Sequence, residues 1–339
     1  MENKKKNKPY KATARDVAKR AGVSKWTVSR AFTEGASISK KAKEDVLKAA
    51  KVLGYRPNLL ARSLSDKNSH IIGVVADEFK NPNLMPLLDE VTQQLQRKRY
   101  MALLLNITSK ANYEAVMTLA DQLQVDGLLF LGTALTDDLV TLAQDIHQIP
   151  LIQLCRNNDN PYIQVVNTDG YAAGGQIAEL LHQQGYTHFG YMKGPQTDTC
   201  PLLRFQGYRN KLQTLGNTVD TVLAASDYQR QCAFDVMSAY LSRTPPEQRI
   251  DALFCENDIL AVGALDALRQ DVRNGHIGIV GFDDIEMAAS PSWALTTFSQ
   301  PLSLLVSEAI ERLTAEKAPG DNTYLPGKLT IRRSHLKPL

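Results

Sequence analysis

Residues 12–64 read ATARDVAKRAGVSKWTVSRAFTEGASISKKAKEDVLKAAKVLGYRPNLLARSL. Thr13 and Asp16 have the spacing of a capping box, in which a hydroxyl and an acidic side chain three residues later satisfy the first free N–H groups of a helix. Val17, Ala18 and Ala21 then share one face, and Gly22 ends the helix. Val23 enters the core. Ser24 caps a second helix through Thr33, with Val28 and Ala31 inward and Gly35 at its end. Ser39 caps a third, where Ala42, Val46, Ala49, Ala50 and Leu53 recur at helical spacing before Gly54. Two short helices joined by a glycine turn and braced by a third form a helix-turn-helix.

Charge separates this head from the rest of the chain. Residues 1–70 hold 18 Lys/Arg against 6 Asp/Glu, a net charge of +12, and the remaining residues of the 339 carry −9. A basic head on an acidic body points to a polyanion partner for the head. In a helix-turn-helix the second helix enters the DNA major groove, and residues near its N-terminus meet base edges. Here those are Lys25 and Trp26, with Arg30 one turn on. Lys and Arg read guanine O6 and N7, and an aromatic ring offers apolar contact to a thymine methyl. Ser24, Thr27 and Ser29 are short hydroxyl donors suited to phosphate. The pattern that turns Val28 inward turns Trp26 outward, and an outward Trp beside two cations fits DNA better than a core. The start, MENKKKNKPYK, is read as a disordered basic arm that meets phosphates.

DVAKRAGVS (16–24), TVSR (27–30) and LGYRPN (53–58) resemble the DNA-binding head of the lactose-repressor/purine-repressor (LacI) family of bacterial transcription regulators. The resemblance implies a hinge helix from Asn58 to Asp66, formed when two subunits place it in the minor groove. It makes Leu64 the apolar wedge at the central base step, with Ala61 as a small contact beside it. Leu59 and Leu60 stay open between linker face and hinge.

From Ile71 the pattern becomes βα repetition. Strands are expected at 71–76, 101–107, 127–131, 151–155, 188–192, 252–255 and 278–281. Helices are expected at 84–98, 112–123, 138–147, 171–184, 203–215 and 260–270. The fold class is therefore an α/β body of two doubly wound lobes behind an all-α helix-turn-helix domain. The expected domains are an arm at 1–12, a head at 13–57, a hinge and linker at 58–70, and an effector-binding and dimerisation domain at 71–339. Within the last, one lobe covers about 71–169 plus 300–328 and the other 170–299 plus 329–339.

Open α/β sheets bind ligands beyond the carboxyl ends of their strands. Asp77, Asn83, Cys155, Arg156, Glu256-Asn257-Asp258 and Asp283-Asp284 all fall there. RFQGY (204–208), CENDILAVGALDAL (255–268), GIVGFDD (278–284) and LTTFSQP (295–301) resemble the family's effector domain, which is related to periplasmic sugar-binding proteins. The resemblance implies that Arg204 grips ligand hydroxyls or carboxylates, and that Asn257 and Asp283 hold a sugar. It implies further that Tyr228 stacks on the ligand, and that Asp77 and Asn83 line the opposite wall. Asp258 and Asp284 read better as helix caps. Most relatives carry Asp where this chain has Cys155, and aromatic residues where Asn83-Leu84 follow Asn-Pro. With Arg156, those departures point toward a more acidic ligand.

No catalytic constellation, nucleotide loop or metal-ligand spacing occurs, so neither enzyme activity nor a cofactor or metal is expected. Four scattered cysteines and a polar start without a leader indicate a reduced, cytoplasmic protein, with no membrane partner. LTIRRSHLKPL lacks the leucine heptads that make some relatives tetramers. The expected partners are thus a near-palindromic DNA operator, a small polar carbohydrate-like effector and a second copy of the chain. A solute-uptake protein with the same body is the competing reading, and the basic head counts against it.

Overall fold

The computed structural model describes residues 12–33, 35–57, 68–77, 79–107, 112–132, 141, 149–195, 202–271, 276–315 and 321–337. The chain divides into two compact units, residues 1–69 and 70–339.

In the first unit, helices α1 (Ala14–Ala21), α2 (Lys25–Ala31) and α3 (Lys40–Leu53) follow their caps. The Asp16 carboxylate accepts from the Thr13 N–H (2.8 Å) and hydroxyl (2.7 Å). Ser24 Oγ accepts from Thr27 N–H (3.1 Å) and Ser39 Oγ from Ala42 N–H (3.2 Å). Gly22 and Gly54 end α1 and α3 in the left-handed conformation that favours glycine. Helix α2 stops at Ala31, earlier than Thr33, where the Phe32 and Thr33 N–H groups turn to the carbonyls three residues back, Ser29 O and Arg30 O (3.1 Å each). Val17, Ala18, Val28, Ala31, Val46, Ala49 and Ala50 make the core, and Phe32 meets Tyr55 edge-on at 5.9 Å.

The second unit holds two six-stranded sheets. The first runs β11-β5-β4-β3-β1-β2, all parallel, with β1 Ile71–Ala76, β2 Met101–Asn106, β3 Gly127–Leu131, β4 Leu151–Leu154, β5 Gln164–Thr168 and β11 Thr323–Leu325. The second runs β12-β10-β9-β8-β6-β7, with β6 Phe189–Lys193, β7 Val219–Ala224, β8 Ala252–Cys255, β9 Gly278–Asp283, β10 Thr296–Ser299 and β12 Lys328–Thr330. Only the β10–β12 pair is antiparallel. Both sheets therefore share one doubly wound strand order, in which a crevice opens where the winding reverses.

The inner strands are buried on both faces, which is why β1 and β3 are apolar without alternation. Ile72, Val74, Leu129 and Leu131 pack under helices Leu84–Arg97 and Leu302–Thr314, while Val75, Leu128 and Phe130 face Met117 and Ala120 of the helix Tyr113–Gln122. In the second sheet, Leu253, Cys255 and Ile279 pack with helices Arg230–Arg243 and Asp258–Gln270. Phe254, Val280, Phe282 and Phe298 pack with Gly170–Gln183 and Leu203–Thr214.

The chain crosses between the lobes after β5, after β10 and after β11. The crossings are tied together. Thr168 Oγ1 donates to Gln300 Oε1 (2.9 Å), and Asp169 N–H donates to Leu325 O (2.8 Å). Strands β5, β7, β10, β11 and β12 and helices Arg230–Arg243 and Leu302–Thr314 are additional to the elements that the sequence pattern predicts. The helix expected at 138–147 lies, apart from Thr141, outside the described residues.

Candidate functional site

On α2, Lys25, Trp26 and Ser29 are exposed, Trp26 by 66%, while Val28 is buried. The Ser24 and Thr27 hydroxyls bond each other at 2.9 Å, so both meet a partner within the cap. Arg30 is not an independent probe. Its guanidinium lies 4.2 Å from the Trp26 ring centroid, and its buried Nε has no hydrogen-bond partner. The ring thus holds the plane of the guanidinium, and the two side chains present one surface. Ala61 and Leu64 lie outside the described residues.

That stack carries a prediction. Trp26→Ala is expected to weaken operator binding by about 1–3 kcal/mol, concentrated at one or two symmetric base pairs. Because Trp26 also orients Arg30, the loss should not add to that of Arg30→Ala, with a coupling of about 0.5 kcal/mol or more. Anisotropy titrations on single-base operator variants measure both. Additive, position-independent losses would make Trp26 a packing residue.

In the second unit, a cleft of about 520 Å³, counted out to open solvent, lies at the carboxyl ends of both sheets. Asn81, Asn83, Leu131, Gly132, Cys155 and Arg156 line it from the first lobe; Arg204, Tyr228, Glu256, Asn257 and Asp283 line it from the second, and Gln300 from a crossing. The expected residues Asn83, Cys155, Arg204, Tyr228, Asn257 and Asp283 are thus brought together. Asp77, which follows β1, is not among the residues lining the cleft. There the wall is made instead by the turn in which Asn81 Oδ1 accepts from Asn83 N–H at 3.1 Å.

Arg204 is buried at the start of its helix. Its Nη1 donates to the Glu256 carbonyl (2.6 Å), and its guanidinium lies 3.6 Å from the Phe282 ring centroid. Asp283 Oδ1 accepts from Gln300 Nε2 (2.8 Å), which joins the cleft wall to the crossing. Cys155 and Asp283, beside or at the ends of β4 and β9, both hold positive φ (59° and 113°), a strained backbone that tends to gather at binding sites.

Two cap readings change. Asn257, not Asp258, caps the helix Asp258–Gln270, its side chain accepting from Leu260 N–H at 3.1 Å. Asp258 is fully buried and ties two neighbouring segments, accepting from Ile285 N–H (2.9 Å) and the Thr297 hydroxyl (2.6 Å). Burial, then the nearby Asp283 carboxylate, pushes the Asp258 carboxyl well above the usual carboxylate range. Asp284 caps no helix; it pairs with Arg332 at 2.7 Å and accepts from the Thr330 hydroxyl at 3.1 Å. The Tyr228 phenol is engaged from both sides, donating to Glu256 Oε1 and accepting from Arg156 Nη2 at 3.3 Å.

Burial, with Asp283 adding to it, pushes the Cys155 thiol up to about 12. At pH 8 only about one in ten thousand Cys155 side chains is then thiolate. Cys155 is expected to react with iodoacetamide about a thousandfold more slowly than an ordinary exposed thiol, followed by peptide mass spectrometry. Labelling at the ordinary rate would show that the cleft is open to water at this wall. Among the described residues, no group of His, Cys, Asp or Glu side chains is arranged to hold a metal ion, and no helix is long and apolar enough to cross a membrane.

A family model described as "Periplasmic binding proteins and sugar binding domain of LacI family" matches residues 69–315, and one described as "Bacterial regulatory proteins, lacI family" matches residues 13–58. The chain is 32% identical to the ribose operon repressor of Escherichia coli K12, over 89% of this chain and 92% of that protein. It is 28% identical to the HTH-type transcriptional repressor PurR of Edwardsiella ictaluri, over 95% and 96%. Among solved structures it is similar to the Lac repressor dimer bound to operator and the anti-inducer ONPF (TM-score 0.83, 23% identity, 97% of this chain and 100% of that one). It is also similar to the transcriptional regulator CelR in complex with cellobiose (TM-score 0.70, 26% identity, 96% and 100%).

Proposed function

The chain belongs to the LacI family of bacterial regulatory proteins, and from that premise we propose that it is a repressor whose grip on its operator is set by a small polyhydroxy ligand in the cleft. The observation that carries the reading is the pairing of two sites in one chain. A basic helix-turn-helix presents Lys25, Trp26 and Arg30, and a cleft gathers polar side chains from both lobes. Neither a DNA-binding module alone nor a solute-uptake protein needs both. The ribose operon repressor, the transcriptional repressor PurR and the Lac repressor among the relatives and structural neighbours support the repressor assignment.

The protein acts as a homodimer on a near-palindromic operator, since two copies of one recognition helix read two symmetric half-sites. Met101 and Leu104 on edge strand β2 and Val222 on edge strand β7 leave apolar side chains exposed, which fits a face covered by a second copy. Its place of work is the cytoplasm, and the arm at 1–11 and the hinge at 58–66 serve the DNA contact.

The effector is a sugar, sugar acid or sugar phosphate. It acts by binding the DNA-free and DNA-bound states unequally, with a coupling of about 1–3 kcal/mol. The test is a gel-shift titration on DNA from upstream of the protein's own gene, with and without a panel of such compounds. One compound should shift operator affinity by about 5- to 150-fold. Tight operator binding that no polyhydroxy compound alters would sink the effector half. Salt-sensitive binding without sequence preference would sink the repressor half.

A further inference from the structure

Trp26 and Arg30 stand one turn apart on α2, so their side chains share a face of the helix. Trp26 is largely exposed, while Val28 between them in sequence is buried in the head's core. The Arg30 guanidinium carbon lies over the Trp26 ring, 4.2 Å from its centroid. Arg30 Nε is buried and has no hydrogen-bond partner among the described residues. The Nε side of the guanidinium is therefore closed to DNA, and the Nη1–Nη2 end is the part that can reach a base. A cation already placed over a ring has less freedom to lose on binding than a free arginine.

We propose that Trp26 and Arg30 read, as one unit, a step of two base pairs in each operator half-site, a guanine beside a thymine, and that the ring recognises the thymine 5-methyl group. The inference rests on the helix-turn-helix being an operator reader, and it names what that reader selects. The Nη end of a guanidinium is a pair of parallel donors, and the guanine edge in the major groove, with O6 and N7, is the matching pair of acceptors. The 4.2 Å between guanidinium and ring is close to the rise of about 3.4 Å from one base pair to the next. With the guanidinium level with one base pair, the ring stands level with its neighbour. An indole brings mostly carbon to that edge, and of the four bases thymine alone presents a methyl there. Adjacency is thus built into the side-chain pair. A 5-methylcytosine carries the same methyl at the same place, so it is read as thymine is, whereas unmodified cytosine is not.

The test begins with selection of tight sites from randomised duplexes by the full chain, followed by anisotropy titrations on the selected operator with single modified bases. Each half-site should hold a guanine next to a thymine. Replacing that thymine by deoxyuridine removes only the methyl and should weaken binding about fourfold per half-site. Replacing the guanine by 7-deazaguanine removes one acceptor and should cost about tenfold or more. At the thymine position, a 5-methylcytosine–guanine pair should bind about fourfold more tightly than a cytosine–guanine pair. Trp26→Ala should abolish the methyl effects and Trp26→Phe should retain them. Arg30→Lys, which keeps the charge and loses the fork, should abolish the 7-deazaguanine effect. Circular dichroism melts show that each variant folds. Deoxyuridine bound as tightly as thymine, as an indole N–H donating to a purine would give, overturns the inference. So does a methyl effect that survives Trp26→Ala. If the selected operator is bound tightly but lacks this step, the repressor reading stands and this inference falls. If no sequence is preferred, both fall.

Discussion

Arg204→Ala is expected to leave operator affinity within about twofold of the parent protein while raising the effector concentration needed for the response by about a hundredfold or more. The guanidinium lies over the Phe282 ring, 3.6 Å from its centroid, and is anchored to the Glu256 carbonyl, so its position is set before any ligand arrives. Such a donor costs little to order on binding, and its loss removes at least one charge-assisted hydrogen bond outright. Lysine is no substitute, because an ammonium can neither stack on Phe282 nor present a fork. Arg204→Lys should therefore behave like Arg204→Ala. Anisotropy of a labelled operator against effector concentration reads both quantities at once. An equal loss of operator binding and response would make Arg204 a structural residue.

Gly207→Ala is expected to cost the second unit about 3 kcal/mol or more. A Cβ at Gly207 would lie 1.9 Å from Tyr171 O, and one at Gly174 would lie 2.0 Å from Arg204 O. Helices Gly170–Gln183 and Leu203–Thr214 therefore cross backbone against backbone, and no flexible side chain can yield. Prying them apart displaces Arg204, which sits one turn from Gly207. Effector affinity should fall together with the melting temperature, the latter by on the order of 10 °C. Gly175→Ala is the control. Its Cβ would meet only Lys211 Cβ at 3.8 Å, so the higher helix propensity of alanine should stabilise by up to about 1 kcal/mol. Paired thermal melts and effector titrations decide the matter, and a Gly207→Ala protein that melts like the parent would refute the close crossing.

The three-helix head was readable because its signals are local. Thr13, Ser24 and Ser39 cap their own helices, and Gly22 and Gly54 end two of them. The apolar runs of β1, β3 and β8 were readable for the same reason. Strand β5 was not, because QVVNT places Asn167 and Thr168 inside the sheet, where Asn167 bonds Asn157 and Thr168 bonds Gln300. Gln300 escaped notice as a cleft residue because its partners are 17 and 132 positions away. Glu256 was seen as one of three polar residues at a strand end, but nothing nearby in sequence reveals that Tyr228 and Gly194 are its partners. Asn257 and Asp258 are both good cap residues in sequence, and only the contacts with Ile285 and Thr297 separate them. Local chemistry thus located the elements, whereas contacts between distant segments decided how the polar residues divide their work.

The helix Leu302–Thr314 covers strands β3, β4 and β5, although more than a hundred residues of the other lobe separate it from them in the chain. On the ribosome, the first lobe is therefore made early and finished late. At about 5–20 residues per second, its sheet waits on the order of ten seconds between emergence of β5 and arrival of the helix that closes it. During that interval Leu129, Ile152, Leu154 and Val166 lack the cover of Leu305, Val306, Ala309 and Ile310. The three-helix head draws its core from its own residues alone, so a nascent chain carries every residue of that core well before it carries every wall of the cleft.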